Sequence, residues 1–451
     1  MNTFSNLGLN EKIAKSVAFV GYTEPTPIQV EAIPHLLAKK DLLGSAQTGT
    51  GKTAAFALPI LQHIYESLDF TKPRKIEALI LAPTRELATQ IGENFTKYSK
   101  FINIKNTIIY GGVSQKKQEE ALRKGVDILI ATPGRLMDLM EQKIVKLDHV
   151  KYLVLDEADQ MLDMGFIKDI KKIISHIPKE RQSMLFSATM PKEIEKLATE
   201  MLVDPVRIAV APVTQTLDII SQRVYHVKKK QKINLLAHLL ETENMKRVLI
   251  FVRTKRNADR LVKNLAELNI HAEPIHGNKS QAARDRALLN FKTGKTKILV
   301  ATDVASRGLD ISGLDYVFNY ELPEIEETFI HRIGRTGRAG KAGEAIAFVS
   351  DEEKDLLKDI EKHINLKLQV FPHPFMDEKE KEVVKDVKTT KETKKNPSNK
   401  KNDQKKKVEK QPDYLRFRGY DPKKKKNSKK KSDSFEQYKK KKNPYYQSKS
   451  K

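Results

Sequence analysis

Several short runs in this chain are apolar at every position rather than at alternate ones, among them "ALILA" within "EALILAPT" and "YLVL" within "YLVLDEAD". A strand that buries one face alternates, whereas a strand apolar throughout is covered on both, as in a parallel sheet sandwiched by helices. Further candidates are "DLLGSA", "NTIIYGG", "VDILIATPG" and "SMLFSAT", with longer helical stretches between them. Strands alternating with helices predict an α/β unit with a parallel sheet. A second series follows: "RVLIFVRT", "HAEPIHG", "KILVATD", "YVFNYELP" and "EAIAFVS". Between the two series lies "VDPVRIAVAPVTQTLDIISQ", with two prolines and little helical period. The expected organisation is a first lobe over 1–203, a linker over 204–220 and a second lobe over 221–372.

From 373 to 451 the pattern collapses into segments such as "KKNPSNKKNDQKKKVEK", which bury too little apolar area to offset chain entropy. A disordered tail is expected there. It holds 28 Lys/Arg against 12 Asp/Glu over residues 376–451, so it carries most of the formal net charge of +25. That concentration points to a polyanionic partner, the alternative being a solubilising tail. The chain of 451 residues has no cysteine, which excludes disulfides, thiolate metal sites and thiol nucleophiles. Its N-terminus does not read as a signal peptide, and no apolar run reaches the ~20 residues of a membrane span. A cytoplasmic location is expected.

"AQTGTGKT", residues 46–53, follows a strand candidate and precedes the helical "AAFALPILQHI". In that context the motif is a phosphate loop. Gly49 and Gly51 let the backbone N–H groups curl inward, Lys52 reaches the β- and γ-phosphates, and the Thr53 hydroxyl can ligate magnesium. Ala46 stands where the strict pattern has glycine. Gln47, Thr48 and Thr50 complete the loop. About 100 residues on, Asp156, Glu157 and Asp159 crowd the end of an apolar run. Such a cluster repels itself unless a cation or a solvated surface takes the charge, and the phosphate loop supplies the reason for a cation. Asp156 is assigned to Mg2+, through waters, and Glu157 to orienting or deprotonating the attacking water. The site is one that hydrolyses a nucleoside triphosphate.

With both motifs in place, the chain resembles the DEAD-box RNA helicases over about residues 4–370, and "DEAD" stands at 156–159. The resemblance implies two RecA-like lobes that use ATP and Mg2+ on RNA with little sequence preference. "GYTEPTPIQ" is similar to the family's Q motif, which implies that Gln29 reads adenine, Tyr22 stacks on it (the family more often has Phe) and Phe4 is the upstream aromatic. "PTRELA" (Thr84, Arg85), Gly111-Gly112 and "TPGR" (Thr132, Pro133, Gly134, Arg135) match RNA-backbone segments. "SAT" (Ser187, Thr189), with Asp159 and His331, matches the elements coupling hydrolysis to strand separation. In the second half Arg253, Gln281, Arg284, Thr302 and Arg307 are implied RNA contacts, Asp310 a ribose contact, and Arg335 and Arg338 of "HRIGRTGR" the arginine fingers. The second half and the lysine-rich tail are most similar to the bacterial RhlE-type subgroup.

The reaction this implies is RNA-dependent ATP hydrolysis with local unwinding of short duplexes and remodelling of RNA–protein complexes. Ribosomal or RNA-decay proteins are implied as partners. The alternative is an ATP-gated RNA clamp or annealing factor. An intact Glu157 with Arg335 and Arg338 favours the first. A DNA-translocating relative is disfavoured by the Q motif and the DEAD tetrapeptide.

Overall fold

The computed structural model describes residues 3–46, 49–69, 71–209, 220–306, 313–337 and 343–376. The first sheet comprises β1 (Leu42–Ser45), β2 (Ala78–Leu81), β3 (Asn106–Ile109), β4 (Ile128–Ala131), β5 (Tyr152–Leu155), β6 (Gln182–Ser187) and β7 (Val206–Ala209). The second comprises β8 (Ile220–His226), β9 (Val248–Phe251), β10 (Glu273–Ile275), β11 (Ile298–Ala301), β12 (Tyr316–Asn319), β13 (Gly343–Val349) and β14 (Gln369–Val370). The spatial orders are β3-β4-β2-β5-β6-β1-β7 and β10-β11-β9-β12-β13-β8-β14. Every pairing is parallel. Each strand of the second sheet thus occupies the rank of a first-sheet counterpart: the two lobes have one topology, used twice.

The apolar runs behave as their composition requires. Ala78 and Ile80 of β2 enter one core layer, while Leu79 and Leu81 enter the layer on the other face. β5 divides likewise, Tyr152 and Val154 to one side, Leu153 and Leu155 to the other. Each fully buried Leu or Ile contributes about 1.5–3 kcal/mol, and this two-sided burial fixes the sheet between its helices. Helix starts carry their own signals. Thr84 Oγ1 accepts the Leu87 N–H at 3.3 Å, and Thr254 Oγ1 accepts that of Asn257 at 3.2 Å, so counterpart helices after β2 and β9 are capped alike.

Two expected boundaries shift. Val206–Ala209, assigned above to the linker, pairs with β1 as an edge strand, and β8 begins at Ile220. The edge position explains why its pattern escaped notice: of its four residues only Ile208 is buried. Residues 210–219 lie outside the described set. At the other end the second lobe continues past 372. His373 Nε2 pairs with the His226 carbonyl at 2.6 Å, and Met376 is buried. The remainder of the expected tail, 377–451, lies outside the described residues. Among the described residues no helix is long and apolar enough to cross a membrane.

Candidate active site and nucleic-acid face

In parallel α/β sheets the loops at the carboxyl ends of the strands form the ligand-binding edge. Strand order then sorts the motifs. Gly111-Gly112, "TPGR" and "PTRELA" follow β3, β4 and β2, which are adjacent. The DEAD tetrapeptide, "SAT" and the phosphate loop follow β5, β6 and β1, also adjacent. One half of the edge carries the segments expected to hold a nucleic-acid backbone, and the other half carries the nucleotide chemistry. "SAT" lies between the DEAD strand and the phosphate-loop strand.

At the nucleotide half, Lys52 is the first residue of the helix Lys52–Ser67, with Thr53 next in its first turn. Lys52 Nζ donates to the Ala46 carbonyl at 2.9 Å and lies 3.7 Å from Asp156 Oδ1. Gly49 and Gly51 flank Thr50 with φ of +84° and +96°. A Cβ on Gly51 would also meet Gln29 Nε2 at 2.6 Å, so glycine is required on both counts. Gln47 and Thr48 lie outside the described residues.

Lys52, Asp156 and Glu157 are all buried. Glu157 sits in the left-handed region at φ +56°, a strained conformation for a side-chain-bearing residue and a frequent mark of functional sites. Burial pushes its carboxyl up to about 7, Lys52 and Arg335 drawing it down while Asp156 and Asp159 add to the rise. Burial likewise raises Asp156, against the pull of Lys52. Arg335, from the other lobe, is buried and within electrostatic reach of Glu157. Asp156 Oδ1 and Glu157 Oε2 are buried without a hydrogen-bond partner. Buried carboxylate oxygens of this kind demand a cation or water. The donor set suits Mg2+, a hard ion that takes oxygen ligands, keeps several waters and needs few protein groups. Among the described residues no cluster of three or more His, Cys, Asp or Glu that could hold a metal occurs.

Around the base-binding region, Gln29 is buried, its Oε1 accepting the Thr26 N–H at 2.9 Å and its Nε2 donating to the Gly51 carbonyl at 3.1 Å. One lone pair and one N–H of the amide remain for a ligand. Phe4 stacks on Tyr22 with centroids 6.3 Å apart, and the Tyr22 hydroxyl lies 3.1 Å from that of Tyr98. Tyr98 was not anticipated; its buried position at the end of the helix Arg85–Tyr98 reads as core.

Asp159 binds the "SAT" loop. Its Oδ2 accepts from Ala188 N at 3.1 Å, Thr189 N at 3.0 Å and Thr189 Oγ1 at 3.2 Å, and its own N–H reaches Ser187 Oγ at 3.2 Å. Asp159 and Thr189 share an interlobe cleft of about 500 Å³ with His331, Thr328 and Ile330 of the second lobe. Of the residues expected to couple hydrolysis to strand separation, Asp159, Thr189 and His331 line this cleft, and Ser187 is bonded to Asp159.

At the other half, Thr84 and Thr132 are helix N-caps, and Pro133 opens the helix Pro133–Glu141 with Gly134 behind it. Helix N-termini present free N–H groups to phosphates. Arg135 Nε lies 3.4 Å from Asp138 while its Nη1 is buried without a partner. Gly112, at φ +78°, is overlain by the Arg85 guanidinium, and Gly111 faces open space. Arg85 Nη1 donates to Gln281 Oε1 at 3.4 Å, and Arg284 Nη2 pairs with Glu86 at 2.7 Å, so these expected nucleic-acid contacts bridge the two lobes. Arg253 donates its main-chain N–H to Glu321 at 2.7 Å, and Thr302 is buried behind β11. Arg307, Asp310 and Arg338 lie outside the described residues.

Arg332 was not singled out in the sequence. It is fully buried, pairs with Asp303 at 2.6 and 2.8 Å, donates to Asn319 Oδ1 and the Glu321 carbonyl, and lies 5.1 Å from the Phe251 ring. Spacing held the clue: Phe329, Arg332 and Ile333 fall on one helix stripe.

Two RecA-like lobes, with a phosphate loop and acidic pair on one and an arginine of the other within electrostatic reach of Glu157, define a helicase-type ATPase. A DEAD/DEAH box helicase model matches residues 26–197, and a helicase conserved C-terminal domain model matches 231–340. The DEAD-box ATP-dependent RNA helicase RhpA of Helicobacter pylori is 44% identical over 377 residues, covering 83% of this chain and 75% of the relative. The ATP-dependent RNA helicase CshA of Listeria monocytogenes is 46% identical over 378 residues, 84% of this chain and 72% of that one. Among solved structures, S. cerevisiae Dbp5 bound to RNA and ADP BeF3 matches with a TM-score of 0.74 at 31% identity, covering 86% of this chain and 99% of that chain. The chain belongs to the DEAD-box family of ATP-dependent RNA helicases, and ATP with Mg2+ is its nucleotide and metal.

Proposed function

We propose that the protein is an RNA-dependent ATPase that closes its two lobes on RNA, separates short duplexes locally and remodels RNA–protein complexes. The observation that carries this reading is the convergence of Lys52, Asp156 and Glu157 of one lobe with Arg335 of the other. Lys52 binds the β- and γ-phosphates in place of the Ala46 carbonyl, and Gln29 uses its remaining donor and acceptor on adenine. Thr53 and Asp156 hold Mg2+, which neutralises phosphate charge when bound. Glu157 orients the attacking water and takes its proton, a role suited to a carboxyl raised to about 7. Arg335, joined by Arg338, stabilises charge that develops on the transferring phosphoryl group. Because these groups belong to different lobes, the site is complete only when the lobes close, so ATP and RNA each strengthen binding of the other.

Thr84, Arg85, Gly111, Gly112, Arg135 and the helix N-cap at Thr132 take the RNA backbone on the first lobe, with Arg253, Gln281, Arg284, Thr302 and Arg307 on the second. Contacts of this kind read the sugar-phosphate chain rather than base identity. The basic segment from 377 adds affinity, and the finer RhlE-type placement rests on that segment and the second half of the chain. Glu157→Gln tests the whole reading. ATP and RNA should still bind while turnover is nearly abolished, and RNA, not DNA, should stimulate the wild-type enzyme. Hydrolysis by the variant within a few-fold of wild type, or equal stimulation by DNA, would contradict it.

A further inference from the structure

The repeated topology gives the phosphate-loop lysine a counterpart in the second lobe. β8 holds in its sheet the rank that β1 holds in the other, and the first α-helix after each begins with a buried lysine, Lys232 and Lys52. β12 likewise matches β5, and each is followed two residues on by a glutamate, Glu321 and Glu157. In the second lobe, however, the lysine is already satisfied from within. Lys232 Nζ donates to the Tyr320 carbonyl at 2.8 Å and the Phe348 carbonyl at 3.2 Å, and forms an ion pair with buried Glu353. The carboxylate of Glu353 also accepts from Leu322 N at 3.1 Å, Ser350 N at 3.0 Å and Ser350 Oγ at 2.8 Å. A side-chain carboxylate thus holds Lys232 in a close ion pair, whereas Lys52, its first-lobe counterpart, lies 3.7 Å from Asp156 and donates to a single carbonyl, that of Ala46. Burial works to raise Glu353, but Lys232 and Ser350 hold it below the usual carboxylate range.

The groups this pair grips have a common destination. Tyr320, Glu321 and Leu322 are the exit of β12, and that exit leads into the helix Glu326–Ile333 and on to Arg335. Arg332 holds the same exit through the Glu321 carbonyl at 2.7 Å, and Glu321 itself takes the Arg253 N–H and, at 2.7 Å, the Asn257 amide. We infer that Lys232 and Glu353 are positioning residues for hydrolysis: an internally neutralised counterpart of the phosphate site, which fixes the β12 exit and through it the arginine that faces Glu157. The inference rests on the reading of Arg335 as a finger.

Lys232→Met in the full chain tests it. Methionine keeps the bulk but cannot donate to Tyr320 and Phe348. With RNA saturating and active sites counted by nucleotide titration, kcat per site should fall by about tenfold or more, equivalent to about 1.4 kcal/mol of lost transition-state stabilisation. KM for ATP and affinity for a fluorescent ADP should stay within about twofold, because Lys52, Gln29 and the phosphate loop are on the first lobe and Lys232 touches none of them. A merely structural role would lower the number of active sites and the melting temperature but leave kcat per site intact, and that result overturns the inference. Should the variant fail to fold, Glu353→Gln, which removes the charge paired with Lys232 while keeping one acceptor oxygen, for either Leu322 or Ser350, carries the same test. Failure of the underlying reading is separable. If Arg335→Ala leaves kcat unchanged, the finger assignment falls. If Arg335→Ala lowers kcat but neither positioning variant does, only this inference falls.

Discussion

The carboxylate of Asp159 accepts both the main-chain N–H of Thr189, at 3.0 Å, and its hydroxyl, at 3.2 Å. The last residue of the DEAD tetrapeptide is thereby bound to the last residue of "SAT", across the two neighbouring strands that end at the nucleotide site. Hydrogen bonds to an ionised acceptor contribute about 1.5–3 kcal/mol each, so the "SAT" loop takes its position from the nucleotide side. Asp159→Ala should release that loop. Duplex unwinding should drop by about tenfold or more, the equivalent of one such bond, while the dissociation constant for ATP changes far less. Parallel unwinding and nucleotide-binding assays check this; equal losses in both would make Asp159 a general structural residue.

Gly112 and Gly111 offer an internal comparison. A Cβ on Gly112 would lie 2.4 Å from the Arg85 guanidinium nitrogens, on a residue with φ of +78°, whereas one on Gly111 would meet nothing within 4 Å. Gly112→Ala should cost about 1–2 kcal/mol in backbone strain and push Arg85 from its place. RNA affinity should weaken by about tenfold, the scale of one charge-assisted phosphate interaction, with kcat at saturating RNA preserved. Gly111→Ala, which leaves Arg85 in place, should weaken RNA binding less than Gly112→Ala does. Similar losses in both variants would remove Arg85 as the cause.

The basic segment should set affinity rather than chemistry. Its lysines are interleaved with Tyr414, Phe417, Tyr420, Phe435, Tyr438, Tyr445 and Tyr446, a mixture that pairs with phosphates and stacks on bases. Truncation after Met376 should leave kcat at saturating RNA unchanged. For every single-strand phosphate that the segment neutralises, truncation should lower the slope of log affinity against log salt by about 0.7, so five such phosphates account for about 3.5. Identical slopes for the full and truncated chains would leave only a solubilising role.

Much of this was legible in the sequence because the decisive signals were local. Runs apolar at every position located β2, β4 and β5, and glycine–lysine spacing located the phosphate loop. What escaped was non-local. β7 carries only one buried residue, so its membership of the first sheet depends on pairing with β1. Arg332 looked like one more cation in a basic motif, yet its partners Asp303 and Asn319 come from distant segments. Arg284 and Gln281 read as nucleic-acid contacts, and only the folded chain places them against Glu86 and Arg85 of the other lobe. Lys232 gave no signal at all, since its equivalence to Lys52 is a matter of strand order.

In the proposed mechanism, catalysis requires a group from the second lobe at a nucleotide site built on the first. Arg335→Ala, assayed for ATP hydrolysis at saturating RNA alongside nucleotide affinity, tests it most directly. The kcat should fall by about a thousandfold, the scale of a missing arginine finger, while the dissociation constant for ATP changes only a few-fold. A variant that hydrolyses ATP at close to the wild-type rate, or that loses only nucleotide binding, would contradict it.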